Sequence, residues 1–285
     1  MQEKIRIVFR CASVIILTLM SFAAFSGCQK VINVDLNVAA PRIVIEGVVN
    51  DRRGPYTVTI SRSGSYFNQP VLQTVSGATV IITDNTGTTD SLEETKPGIY
   101  LTSKLRGFPG RTYTLTVISD DQAYIGSSSI LSHVNIDSLT LVKSLSHRFD
   151  FGGGNDKETN VDIHCYFKDP QEKNFYRVKV YKNDSINTES YRLYDDQYTN
   201  GEETELRVAN AEAGATYRIE LLSIDEQTYG YYQTLEELLF TNPFFGSTPA
   251  NPNNNLSNGA LGYFGAYAIS SKTIIITDSL LKSVR

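Results

Sequence analysis

The chain has 285 residues and a formal charge of −5, from 26 Lys and Arg against 31 Asp and Glu. That length suits two ordinary domains or one large one, and the charge gives no basic excess for a nucleic acid or an anionic lipid surface. The chain has no Trp but 17 Tyr and 13 Phe, and its body is rich in Tyr, Thr, Val and Ile, a strand composition.

Lys4, Arg6 and Arg10 form a basic start, Cys11 to Phe25 is uncharged and largely apolar, and Ala23, Ala24, Ser26 and Gly27 are small. These are the three parts of a secretory signal. The alternative, an uncleaved membrane span, needs about 20 apolar residues, and Arg10 and Gly27 bracket slightly fewer. Both readings place the rest of the chain outside the cytoplasm, because the positive charges precede the apolar run. Cys28 directly after Ser26-Gly27 resembles the lipobox of bacterial lipoproteins, with Phe25 where Leu is usual. The resemblance implies cleavage after residue 27 and lipid on Cys28, and two or more acyl chains anchor a protein stably. Gln29 stands where an Asp would favour inner-membrane retention, so the resemblance points to the outer membrane, its facing side open. Residues 28–41 then read as a lipidated tether.

Arg42 to Asn50 reads as a strand, with Ile43, Ile45 and Val48 inward. Tyr56 to Ser61 alternates apolar and polar residues, the signature of a half-buried strand. Residues 78–83, 90–94, 98–102, 112–119 and 122–130 complete a set of strands at roughly ten-residue spacing, which predicts a β-sandwich over 42–132. Gly77 to Ile82, Gly98 to Tyr100 and Gly110 to Val117, in that order, resemble the prealbumin-like sandwich modules of bacterial surface proteins.

A second set of strands, at 136–142, 160–167, 175–181, 191–198, 203–208 and 216–223, predicts another sandwich over 133–278. Asn200-Gly201 is the strongest short hairpin signal. The Gly152-Gly153-Gly154 region reads as a flexible loop. One helix is expected at 224–240, opened by a capping box of Ser223 and Glu226, with Tyr232, Leu235 and Leu239 on one face. A Pro/Asn-rich loop follows at 241–257, then closing strands at 262–270 and 272–277 and a tail at 279–285. The fold class is therefore all-β: two Ig-like or prealbumin-like sandwiches with one short helix near the C-terminus.

Little in the chain points to chemistry. His133, His147 and His164 lack ligand spacing with one another or with Cys. With Cys11 lost and Cys28 lipidated, Cys165 has no internal disulfide partner and reads as a small apolar strand residue. No nucleophile elbow or phosphate loop occurs. The pairs Asp120-Asp121, Asp195-Asp196, Glu202-Glu203 and Glu236-Glu237 read as solvated turns, since neighbours on a strand face opposite sides. Asp196 to Gly201 echoes a calcium loop but has Tyr198 and Arg207 at ligand positions. No catalytic residue, metal or cofactor is expected.

Two stretches are candidates for binding. Tyr263, Phe264 and Tyr267, spaced by Gly262 and Gly265, read either as a packed core strand or as an exposed platform for a protein or a sugar ring. Phe244 and Phe245, among the Asn, Pro and Ser of the long loop, read either as contact anchors or as a plug for the second sandwich.

Asp137-Ser-Leu, Tyr166 to Pro170, Asn242-Pro-Phe244 and above all Asn258 to Tyr267 resemble a Bacteroidota outer-membrane lipoprotein family, domain of unknown function 4249, from about Cys28 to about Thr277. The resemblance implies a non-catalytic, lipid-anchored envelope protein working beside a TonB-dependent outer-membrane transporter. A surface lipoprotein binding glycan or another ligand is the alternative.

Overall fold

The computed structural model describes residues 40–64, 73–144, 161–186, 191–240 and 251–284. The first half gives β1 (Ile43–Asn50), β2 (Thr57–Arg62), β3 (Gln73–Thr74), β4 (Thr79–Asp84), β5 (Thr89–Ser91), β6 (Glu93–Lys96), β7 (Ile99–Leu101), β8 (Thr112–Ser119) and β9 (Gln122–Ser129). The second gives β10 (Ser138–Lys143), β11 (Val161–Lys168), β12 (Phe175–Lys182), β13 (Ser185–Ile186), β14 (Leu193–Asp195), β15 (Glu203–Asn210) and β16 (Thr216–Ile224). Helix α1 (Glu226–Phe240), strand β17 (Leu261–Ile275) and helix α2 (Asp278–Val284) close the chain.

Three sheets result. The largest runs β13-β12-β16-β17-β1-β2-β7-β6, with β14 on β12 and β3 on β2; the others are β5-β4-β8-β9 and β10-β11-β15. Alternation puts each inner face together. Ile43, Ile45, Val58 and Ile60 from the large sheet meet Val80, Ile82, Leu115 and Val117 in one core. Val178, Val180, Ile219 and Leu221 meet Ile163, Cys165, Phe167 and Val208 in the second. The all-β sandwich expectation holds.

The boundary between the two sandwiches is not the one the strand spacing suggested. The two expected closing strands form one, β17, because extended residues such as Ser270 and Ser271 keep their ladder bonds to β16. Its first half pairs in parallel with β1, from Val44–Leu261 to Asn50–Tyr267. Its second half pairs antiparallel with β16, from Ile224–Tyr267 to Thr216–Ile275. Phe264, Ala266 and Ala268, assigned to a C-terminal sandwich at 133–278, therefore lie in the first core together with Leu256 and Ala260. The expected tail at 279–285 is largely the helix α2, which buries Leu281 in the second core.

Three local readings also change. The strands expected at 191–198 and 203–208 form no hairpin, because β14 joins β12 and β15 joins β11. Asn200-Gly201 instead turns a corner between sheets, where the Gly201 amide donates to Pro170 O at 3.2 Å and to Asp169 Oδ2 at 3.1 Å. Asp196 is buried rather than solvated, and its Oδ2 accepts the Asn174 amide at 2.7 Å. At the start of α1, strand β16 runs on to Ile224, so Ser223 is buried in the strand and Asp225 caps the helix. Its Oδ1 accepts the Thr228 amide at 2.7 Å. Its Oδ2 accepts Ser128 Oγ at 2.6 Å and the Ser129 amide at 3.0 Å, tying the helix start to β9.

Two turns of the first sandwich follow from local chemistry. Asp120-Asp121 forms the left-handed turn of the β8–β9 hairpin. Asp84 sits buried in the β4–β5 turn. Burial would push its carboxyl up, but bonds from Thr86, Thr88 and Arg111 hold it at about 2.

Candidate functional site

The outer face of the large sheet carries a third layer, α1, and between them lies a cleft of about 560 Å³. Its floor follows from strand alternation. On β17, Phe264 and Ala266 point into the core, so Tyr263, Gly265 and Tyr267 face the helix. On β1, Ile45 and Val49 point inward, so Glu46 and Asn50 face the cleft, and so does Val48, expected inward but one pleat step from Val49. Thr57 and Thr59 of β2 extend the floor on one side and Arg177 of β12 extends it on the other. The roof is Thr228, Tyr231, Tyr232 and Leu235 of α1, with Tyr191 closing the Arg177 end.

The tyrosines touch in sequence across this space. Tyr231 stacks on Tyr263 with ring centres 4.5 Å apart and planes 23° from parallel. Tyr231 meets Tyr232 edge-on at 5.2 Å, and Tyr232 lies 5.2 Å from Tyr191. The Arg177 guanidinium sits 4.0 Å from the centre of the Tyr232 ring and 4.9 Å from that of Tyr191. Tyr263 and Thr228 share a hydroxyl hydrogen bond of 3.1 Å. Burial pushes the Tyr231 phenol up to about 12, with the neighbouring Tyr232 and Glu46 adding to it. Burial likewise raises Tyr263, Tyr267 and Tyr232. Tyr231, Tyr232, Tyr263 and Tyr267 therefore stay neutral near pH 7, a surface of faces and hydroxyls.

Of the residues expected to bind, Tyr263 and Tyr267 form the cleft floor and are themselves 6% and 7% exposed. Phe264 is a correction. It is fully buried on the opposite face of the strand and offers nothing to a ligand. Cys28, Phe244 and Phe245 lie outside the described residues. Two asparagines of the long loop are engaged within the fold. Asn254 Nδ2 donates to Ala260 O at 2.9 Å, and Asn255 Nδ2 to Ser127 O at 2.8 Å and Phe264 O at 2.7 Å. Leu239, expected on the packed face of α1 with Tyr232 and Leu235, is 61% exposed.

Strand and helix patterns left Arg177, Tyr191, Tyr231 and Glu46 unremarked as site residues. The signal available was the outward set Glu46, Val48 and Asn50 on β1, and the density of aromatics in Tyr229-Gly230-Tyr231-Tyr232.

Among the described lining residues, Glu46 is the one carboxylate and Arg177 the one cation, with no His, Cys or Ser. A single carboxylate does not provide the acid and base of glycoside hydrolysis. Elsewhere, His133 Nδ1 lies 2.6 Å from Asp51 Oδ2, and His164 Nδ1 lies 2.7 Å from Glu205 Oε1; His147 is outside the described residues. Among the described residues, no group of three or more His, Cys, Asp or Glu is placed to hold a metal ion. No described helix is long and apolar enough to cross a membrane.

A two-fibronectin-type-III-domain segment of chicken tenascin is similar over 65% of this chain and 91% of that chain, at 12% identity and a TM-score of 0.21. No curated protein matches the sequence. The model of the family described as Domain of unknown function (DUF4249) matches residues 29–273, most of the chain, and the protein belongs to that family.

Proposed function

We propose that the chain is a non-catalytic, lipid-anchored protein of the bacterial outer membrane that captures a glycan or another small ligand in its tyrosine-lined cleft and works beside a TonB-dependent transporter. The cleft carries this reading: about 560 Å³, floored by one strand face and roofed by a helix, with ring faces, hydroxyls and two opposite charges. Sites of this size, largely apolar with few polar groups, are where small ligands bind. The lone Glu46, without a second carboxylate or a nucleophile beside it, supports binding rather than turnover. The basic start, the apolar run and Ser26-Gly27-Cys28 support the anchor, and the absence of Asp after Cys28 supports the outer membrane. The transporter partnership rests on the resemblance of Asn258 to Tyr267 and its companion motifs.

Two measurements test this. Labelled palmitate should enter the wild-type chain and not Cys28→Ala, and a labelled, membrane-bound Cys28→Ala would remove the anchor from the proposal. For the cleft, Gly265→Leu fills the floor. A Cβ there meets Tyr263 at 3.7 Å and Thr228 Oγ1 at 3.9 Å, ordinary contacts. The variant should melt within a few degrees of wild type and lose the ligand in calorimetry. Binding that survives Gly265→Leu would place the ligand elsewhere.

A further inference from the structure

We infer that the ligand is a small ring-bearing organic acid whose carboxylate pairs with Arg177, an inference that rests on the cleft being the binding site. Arg177 is half-buried, and its Nε is shut off from solvent without a hydrogen-bond partner. It forms no ion pair among the described residues, whereas Arg52, Arg62, Arg111, Arg207 and Arg218 all do. Its guanidinium rests on the faces of Tyr232 and Tyr191, which bring no negative charge, and an anion entering the cleft supplies one.

The surroundings add to the positive field. Lys179 lies two residues along the same strand face, 5.8 Å from the Tyr267 ring centre, and burial together with the Arg177 charge lowers its pKa. Beyond it Arg52 and Arg218 share the single carboxylate of Glu220. Arg177, Lys179, Arg52 and Arg218 thus gather on this flank around Glu220, in a chain whose net charge is −5. A guanidinium resting on aromatic rings is suited to a planar carboxylate. The rest of the cleft suits a ring. Gly265 brings no side chain to the floor between Tyr263 and Tyr267, and Tyr231 stacks on Tyr263. At the far end Glu46 and Thr59, 3.4 Å apart, meet hydroxyl groups. An acidic sugar and an aryl carboxylate share this chemistry.

The test is calorimetry on the full-length protein in detergent with four probes: a glucuronate-containing disaccharide, its neutral glucose counterpart, 4-hydroxyphenylacetate and the corresponding amide. One acid should bind at least tenfold tighter than its neutral counterpart, and which acid does so identifies the source. Arg177→Met should abolish that preference, and Arg177→Lys, which keeps the charge without the planar fork, should retain part of it; melting curves report that both fold. A neutral probe binding as tightly as its acid, with binding lost in Gly265→Leu, overturns the acid inference and leaves the cleft reading standing. No binding by any probe, or binding indifferent to Gly265→Leu, overturns the acid inference and counts against the cleft.

Discussion

Phe264→Ala should lower the stability of the folded part by about 3–5 kcal/mol, the range for removing a large aromatic from a packed core. The ring is fully buried, and two glycines make room for it. A Cβ on Gly47 would approach Phe264 Cδ2 to 3.1 Å, and one on Gly126 would approach Phe264 Cβ to 3.3 Å. The ring therefore fills a slot between β1 and β9, which a smaller side chain leaves partly empty. For a unit of this size the loss corresponds to a melting-point drop on the order of ten degrees. Phe264→Leu should lose clearly less, because most of the volume returns. If Phe264→Ala instead melted with wild type and lost ligand, the ring would belong to the binding face, and the assignment of strand faces on β17 would be wrong. Because Tyr263 and Tyr267 share the opposite face, that error would also displace the cleft.

Most strands were legible because each carries its own periodicity. In Thr112–Ser119 the inward positions are Tyr113, Leu115, Val117 and Ser119, and no distant partner is needed to read that pattern. The cap of α1 was misread because Ser223 and Asp225 are both good capping residues, and the choice depends on how far the preceding strand stays paired. That pairing, Ile224 with Tyr267, joins residues more than forty positions apart. The same limit hid the sheet order. β1 and β17 are neighbours across nearly the whole chain, and a parallel pair leaves no turn signal to announce it. It also hid the cleft. Glu46, Arg177 and Tyr231 come from three elements, and each reads locally as an ordinary residue of a strand or helix. The aromatic-glycine stretch held both of its readings at once: Phe264 is core, while Tyr263 and Tyr267 face the cleft one step either side of the pleat.

The parallel seam between β1 and β17 makes the sharpest demand on a single residue. Gly262 has φ +92° and is paired with Ile45, and a Cβ built on it would sit 2.1 Å from Ile45 O and 2.8 Å from Ile45 C. The obstacle is backbone, which cannot swing aside as a side chain can. Gly262→Ala therefore meets two costs together. A positive φ is unfavourable for a residue with a Cβ by about 1–2 kcal/mol. Relieving the contact would also push β17 off β1, opening a ladder that runs from Val44–Leu261 to Asn50–Tyr267. We expect a loss of about 3 kcal/mol or more, at the upper end for a single methyl group. Gly265→Ala is the matched control: same strand, same change, no positive φ and no contact closer than 3.7 Å, so its effect should stay within about 1 kcal/mol. Urea unfolding of the two variants side by side decides the matter. Equal stability in both would mean that β17 does not approach β1 at Gly262 as closely as the register requires, and the seam joining the two cores would have to lie elsewhere along the strand.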